Sequence, residues 1–176
     1  MRLLGISGSV RAASSNSRLL SAASGCVPDD VVFEIADCLE QLPHFNPDLN
    51  PNDIPVVAAW VAQIKAADGL IISTPEYAGG YPGVLKDALD WLVQTDAHIE
   101  KPFMMLHASK RSFTARDTLA KVMETMSGIQ IHDANLTIHL VGNSDRVEVL
   151  RETHGEALRQ SLTAFVQGIK QPPGAS

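Results

Sequence analysis

The sequence lacks any apolar run approaching the about 18 residues that a membrane-crossing helix needs. Its opening stretch, MRLLGISGSV, follows a single arginine with too short an apolar region for a secretory leader. No membrane association and a cytoplasmic location are therefore expected. Cysteine is scarce: Cys26 and Cys38 are the two present, without the close spacing of a redox or zinc pair and too few for a secreted disulfide framework. Reduced thiols are expected. A basic excess is also missing, since fourteen Lys and Arg stand against twenty Asp and Glu, for a net charge of −6. No field draws the chain to nucleic acid or to an anionic surface, and neither is expected as a partner. The histidines, at 44, 98, 107, 132, 139 and 154, form no H-E-x-x-H or close ligand pair, so no metal site is expected.

Several nucleotide and nucleophile motifs are absent too. A P-loop closes on Gly-Lys-Ser/Thr, but no lysine precedes Lys65. A dinucleotide fingerprint needs G-x-G-x-x-G, and Gly5 and Gly8 are the only glycines before Gly25. The segment GISGS brushes against the hydrolase elbow G-x-S-x-G, yet Ser9 stands where its second outer glycine belongs.

What is present is a chain of 176 residues, 45% hydrophobic and 19% charged, enough for one domain with a buried core. Apolar, strand-length runs recur at 2–7, 31–36, 69–73, 102–108 and 136–142, with helix-sized intervals between them. Those intervals carry a period near 3.6, as in Val57, Trp60, Val61 and Ile64, or Leu158, Leu162, Phe165 and Val166. Strand runs that are continuously apolar belong in a parallel sheet covered by helices on both faces. The expected fold is an α/β three-layer sandwich, flavodoxin-like, with a five-stranded parallel sheet of order 2-1-3-4-5. A single domain is expected over 1–170, and residues 171–176, QPPGAS, are expected to form a loose tail, since their prolines and glycine cannot extend the last helix.

Ligands of such a fold bind beyond the carboxyl ends of the strands, beside the reversal of winding. The loop after strand 1, SGSVRAASSNS, puts serines, an asparagine and Arg11 ahead of a helix beginning near Ser15. Hydroxyls and free N–H groups at a helix N-terminus, with a forked cation beside them, suit a phosphate. A plain helix cap would need one such residue and leave the others unused. Ser9, Arg11, Ser14, Ser15, Asn16 and Ser17 are the candidate phosphate ligands. The loop after strand 3 reads STPEYAGGYPG. Thr74-Pro75 directs the chain outward and Gly79-Gly80 permits close backbone approach, so a flat ring can lie against it with Tyr77 beside it. About nine residues are spent where two to six would make a turn.

The spacing Ser9-x-Arg11-x-x-Ser14-x-Asn16 and the string PEYAGGYPGVLKDALDW resemble the two signatures of the NADPH-dependent FMN reductase family, which includes quinone, chromate and azo-dye reductases. The segment LPHFNPD, Leu42 to Asp48, is similar to that family's loop after strand 2. The resemblance implies a flavodoxin-like fold, non-covalent FMN, NADPH or NADH as electron donor, a small-molecule acceptor and a homodimer or homotetramer. It implies that the first loop holds the phosphate, that Pro75, Glu76, Tyr77, Ala78 and Gly79 hold the ring edge, and that Ser109 contributes from the loop after strand 4. Many members carry Asn in place of Ala78 and Ser in place of Gly80, and a glycine pair where this chain has HASKRS, His107 to Ser112. No catalytic side chain is expected, because the flavin carries the chemistry. His107, at the end of strand 4, is read as facing the flavin side without an assigned role. Two alternatives are an FMN electron carrier serving a protein partner without an NAD(P)H site of its own, and an FMN-free module whose serine loop holds another phosphate.

Overall fold

The structure, a computed structural model, describes residues 1–11, 13–109, 113–140 and 146–171. Strands β1 (Arg2–Ser7), β2 (Val32–Ile35), β3 (Gly69–Ser73) and β4 (Pro102–His107) alternate with helices α1 (Ser15–Ser24), α2 (Pro55–Ala66), α3 (Gly83–Val93) and α4 (Phe113–Thr125). Two short strands, β5 (Ile129–Gln130) and β6 (Leu136–Thr137), precede the long helix α5 (Val147–Lys170). The sheet is parallel, in the order β2-β1-β3-β4-β5, with β6 also paired to β4. This is the expected winding.

One expectation is corrected. The fifth strand, read as 136–142, is not one strand. β5 pairs with Pro102 and Phe103, β6 with Leu106 and His107, and a short turn at His132–Ala134 separates them. The ladder has a gap opposite Met105, whose backbone N–H donates instead to the Asn135 side-chain Oδ1 at 2.8 Å. A side-chain amide thus stands in for the missing backbone acceptor, as a buried N–H requires. Residues 141 and 142 of the proposed strand lie outside the described residues, as do 172–176 of the proposed tail. Gln171 still donates its N–H to Gln167 O at 3.0 Å, closing the last turn of α5.

The sheet buries both faces. β3 is buried along its whole length, as a central strand should be. On one face Leu4, Ile6, Ile72, Phe103 and Met105 pack with Trp60, Ile64, Leu85, Leu89 and Leu119 from α2, α3 and α4. On the other, Leu3, Ile71, Met104 and Leu106 pack with Leu19, Leu20, Leu158, Leu162 and Phe165 from α1 and α5. Strand alternation assigns each side chain its face. Among the described residues no helix is long and apolar enough to cross a membrane, and Cys26 and Cys38 are both free and buried.

Candidate active site at the carboxyl end of the sheet

β1 and β3 run side by side, with Ser7 opposite Ser73, so their following loops leave the sheet together. They are held close: Gly8 N–H donates to Ser73 O at 2.8 Å, and a Cβ on Gly8 would lie 2.3 Å from Thr74 Oγ1. Only glycine permits that approach.

The first loop is braced by its own serines. Ser7 and Ser17 hydroxyls meet at 2.8 Å, Ser9 N–H donates to Ser7 Oγ at 3.3 Å, and Arg11 N–H donates to Ser9 Oγ at 3.4 Å. Ser14 is the N-cap of α1, in extended backbone, with its Oγ accepting from Ser17 N–H at 3.4 Å. The buried Ser73 hydroxyl donates to Asn16 Oδ1 at 3.0 Å, tying the first turn of α1 to the end of β3. That turn carries no acidic residue, so its N–H groups face outward without a competing carboxylate.

In the second loop, Tyr77 and Gly80 exchange backbone hydrogen bonds, Tyr77 N–H to Gly80 O at 2.8 Å and Gly80 N–H to Tyr77 O at 3.0 Å. The two residues between them both have positive φ, 51° at Ala78 and 77° at Gly79. This is a tight two-residue turn of the primed type. The left-handed pair is therefore Ala78-Gly79, one position earlier than the Gly79-Gly80 expected from the sequence, because the hydrogen-bonded ends fall at Tyr77 and Gly80. Tyr77 is 58% exposed, so its ring is a surface rather than a core residue.

The loops after β1, β3 and β4 meet around a hollow of about 240 Å³ lined by Ser15, Asn16, Thr74, Pro75, Glu76, His107, Ala108, Ser109 and Leu140. Of the expected ligands it brings together Ser15, Asn16, Pro75, Glu76 and Ser109. Ser9, Arg11 and Ser17 line a neighbouring hollow of about 230 Å³, which they share with Asp37 and Glu40. Ser14 is buried beneath the loop, and Tyr77, Ala78 and Gly79 form the exposed turn above it. Glu76 is also engaged with α4: its Oε2 accepts from Ala115 N–H at 3.0 Å, in the first turn of that helix. Lys110, Arg111 and Ser112 of the HASKRS segment lie outside the described residues.

His107 is the site residue that the sequence left without a role. It is 4% exposed, its Nε2 is buried without a hydrogen-bond partner among the described residues, and burial, reinforced by the nearby Arg116 charge, lowers its pKa to about 4. Its signal was available in the alternation of β4, where Phe103, Met105 and His107 share a face. The loop after β2 is strapped onto α3 beside the site. Asp87 accepts from Phe45 N–H at 3.2 Å and meets His44 Nδ1 at 2.8 Å, Trp91 Nε1 donates to Pro43 O at 2.8 Å, and the Phe45 and Trp91 rings cross edge to face at 5.3 Å.

A parallel sheet in this order, with three polar loops converging past its reversal point, defines a flavodoxin-like protein of the kind that binds a phosphorylated, planar cofactor. The chain matches the NADPH-dependent FMN reductase family over residues 1–142 and belongs to that family. It is 30% identical over 182 residues to an NAD(P)H-dependent FMN reductase of Pseudomonas aeruginosa, covering 99% of this chain and 98% of that one. It is 42% identical over 92 residues to a 2-hydroxy-1,4-benzoquinone reductase of a Burkholderia species, covering 52% of this chain and 49% of that one. Its fold is similar to that of a flavoenzyme NAD(P)H:(acceptor) oxidoreductase from Paracoccus denitrificans, with a TM-score of 0.82, 22% identity and 97% of each chain covered. The chain is thus an oxidoreductase of the FMN-dependent, NAD(P)H-using class.

Proposed function

We propose that this protein accepts a hydride from NADPH or NADH and passes reducing equivalents to a quinone-like or other small-molecule acceptor. The observation that carries this reading is the convergence of three loops on one hollow, with the acid-free N-terminus of α1 at one side and the Thr74–Glu76 backbone at the other. The residues fit FMN. The α1 N-terminus, Ser15 and Asn16 suit its phosphate, with Arg11 reaching over from the adjoining hollow, and the backbone of Pro75 to Gly79 with Ser109 suits the polar edge of its ring. Bound there, FMN supplies a two-electron acceptor at its ring. The chain's own part is to fix that ring, through the Gly8 to Ser73 and Ser73 to Asn16 hydrogen bonds that lock two loops together. The exposed Tyr77 leaves an aromatic surface at the mouth for donor and acceptor to visit in turn.

The same reading includes a homodimer or homotetramer. Leu49 and Val93 are exposed near the strapped loop, where Gln94 Nε2 donates to Pro47 O at 2.9 Å, and would be covered by a second copy. Light scattering at micromolar concentration checks it, and a mass near 18.9 kDa would count against it. A cytoplasmic location accords with two unpaired, buried thiols.

The purified protein should be yellow, release FMN on heating, and bleach when NADPH is added without oxygen, with colour returning on addition of a benzoquinone. Release of FAD or of no flavin would overturn the cofactor. Bleaching by dithionite but not by NADPH or NADH would make the protein a carrier instead.

A further inference from the structure

His107 stands in the wall between two hollows. It lines the 240 Å³ space in which the three loops meet, and also a larger one of about 770 Å³ beneath α4, lined among others by Arg116, Asp117, Lys121, Gln130 and His132. Strand alternation puts it on the α4 face, in line with Phe103 and Met105 of the same core. A polar side chain in that row is unusual, and the structure gives its Nε2 no partner among the described residues.

Two of the neighbours are engaged elsewhere. Arg116 Nε donates to Asp117 Oδ1 at 2.8 Å, and Asn135 Oδ1 takes the Met105 N–H at 2.8 Å. A buried polar atom without a partner costs about 1–3 kcal/mol, and native proteins retain few of them without a use. Packing alone would be served at lower cost by leucine or methionine, as at Leu106 and Met105 on either face of the same strand. A half-turn about the Cβ–Cγ bond keeps the imidazole within the same envelope and carries Nε2 to the opposite edge of the ring. An imidazole in this wall can therefore offer a nitrogen to what fills a hollow beside it.

We propose that the imidazole of His107 hydrogen-bonds the polar edge of the bound flavin ring, making it a flavin-contacting residue. This rests on the FMN reading above. The unprotonated ring offers one donor and one acceptor, which matches an edge that alternates carbonyl oxygens with ring nitrogens. It adds no positive charge beside that edge, so it orients the ring without favouring the anionic form of the reduced flavin as a lysine or arginine would.

The test uses the full chain, stripped of flavin and titrated with FMN and with riboflavin, for wild type, His107→Leu and His107→Asn. His107→Leu should lose about ten-fold in affinity for both flavins alike, because the contact is to the ring and not to the phosphate. His107→Asn should recover most of that loss, and the visible flavin band and midpoint potential should shift in the leucine variant. In addition, 15N resonances of the histidine-labelled wild type should include one that moves on adding riboflavin and that is missing from folded, flavin-binding His107→Asn. Unchanged affinity and spectrum in His107→Leu, or no ring resonance of His107 that responds to flavin, would overturn the proposal. A wild type that binds neither flavin would instead remove the FMN reading itself, and this inference with it.

Discussion

The carboxylate of Glu76 accepts a hydrogen bond from the backbone N–H of Ala115 at 3.0 Å, so the loop after β3 caps the helix after β4. The first turn of α4 has no acidic residue of its own. Glu76 therefore supplies both the acceptor and the negative charge that the positive end of that helix favours. Glu76→Ala should destabilise the apoprotein by about 1–2 kcal/mol, and Glu76→Gln, which keeps an acceptor without the charge, by about half as much. Urea denaturation of the three proteins checks the order. Equal stability in all three would mean the contact contributes nothing.

The turn at Ala78-Gly79 carries a strain that can be removed. Ala78 sits at φ 51°, where a Cβ costs about 1 kcal/mol and where asparagine is better tolerated. Ala78→Asn should raise stability by roughly 0.5–1 kcal/mol, since it relaxes the turn without adding the unfolded-state freedom of glycine. A lower thermal midpoint in that variant would show that the turn is shaped by something other than these two φ angles.

Asn135 offers a second stability test. Its side chain accepts the N–H of the fully buried Met105, and Asn135→Ala should leave that donor stranded at a cost of about 1–3 kcal/mol. Asn135→Asp keeps the acceptor and should recover part of the loss at neutral pH. Hydrogen exchange at Met105 should quicken in the alanine variant more than at Met104, which isolates the local effect.

These positions mark where the sequence stops being legible. The continuously apolar β1, β3 and β4 and the amphipathic helices could be read because burial on both faces writes itself as composition and period. Ser14 is legible with its neighbours as a phosphate ligand, but not as the helix N-cap whose Oγ accepts Ser17 N–H. The edge strand could not: β5 and β6 are two residues each, shorter than any periodicity, and the turn between them is rescued by one side chain that reads as an ordinary Asn. The Ala78-Gly79 turn was masked by Gly80, since two adjacent glycines do not say which of them takes the positive φ. The three loops could be named from topology, but the allocation of Arg11 to one hollow and Asn16 to its neighbour depends on how α1 sits, which no local pattern encodes.

His107 should make apoprotein stability depend on pH. Its pKa is lowered from 6.5 to about 4, first by burial and then by Arg116, with Asp117 opposing. Between those values the unfolded chain binds the proton and the folded chain does not, so stability falls as pH drops through that window and is fully present above 6.5. The swing is on the order of 3 kcal/mol. His98, also lowered by burial, acts in the same direction, so the contribution of His107 is the difference between wild type and His107→Leu. The stability of wild type relative to His107→Leu, whatever its sign at pH 7, should fall as pH drops from 7 to 4; a pH-independent difference would show that the folded imidazole protonates as readily as the unfolded one.

Arg11 lies exposed beside Ser9 and Ser17, in the hollow that also holds Asp37 and Glu40. Two carboxylates against one guanidinium make that hollow a poor anion site in itself, so the value of Arg11 to a phosphate lies in reaching from it toward the N-terminus of α1. FMN and riboflavin differ only by the phosphate, which separates a direct contact from general support of the loop. Arg11→Ala should weaken FMN by about ten- to hundred-fold, the equivalent of a charge-assisted hydrogen bond of roughly 1.5–3 kcal/mol, and leave riboflavin nearly unchanged. Wild type and variant with both ligands form a thermodynamic cycle whose coupling term belongs to the phosphate alone. Raising the salt concentration should shrink that term, since the guanidinium is exposed and screened. Asp37→Asn should act in the opposite sense and tighten FMN, by removing one negative charge from the hollow that Arg11 lines. Equal losses for both flavins in Arg11→Ala would make Arg11 a support of the serine loop, and no loss for either would leave the phosphate to Ser15, Asn16 and the helix N–H groups.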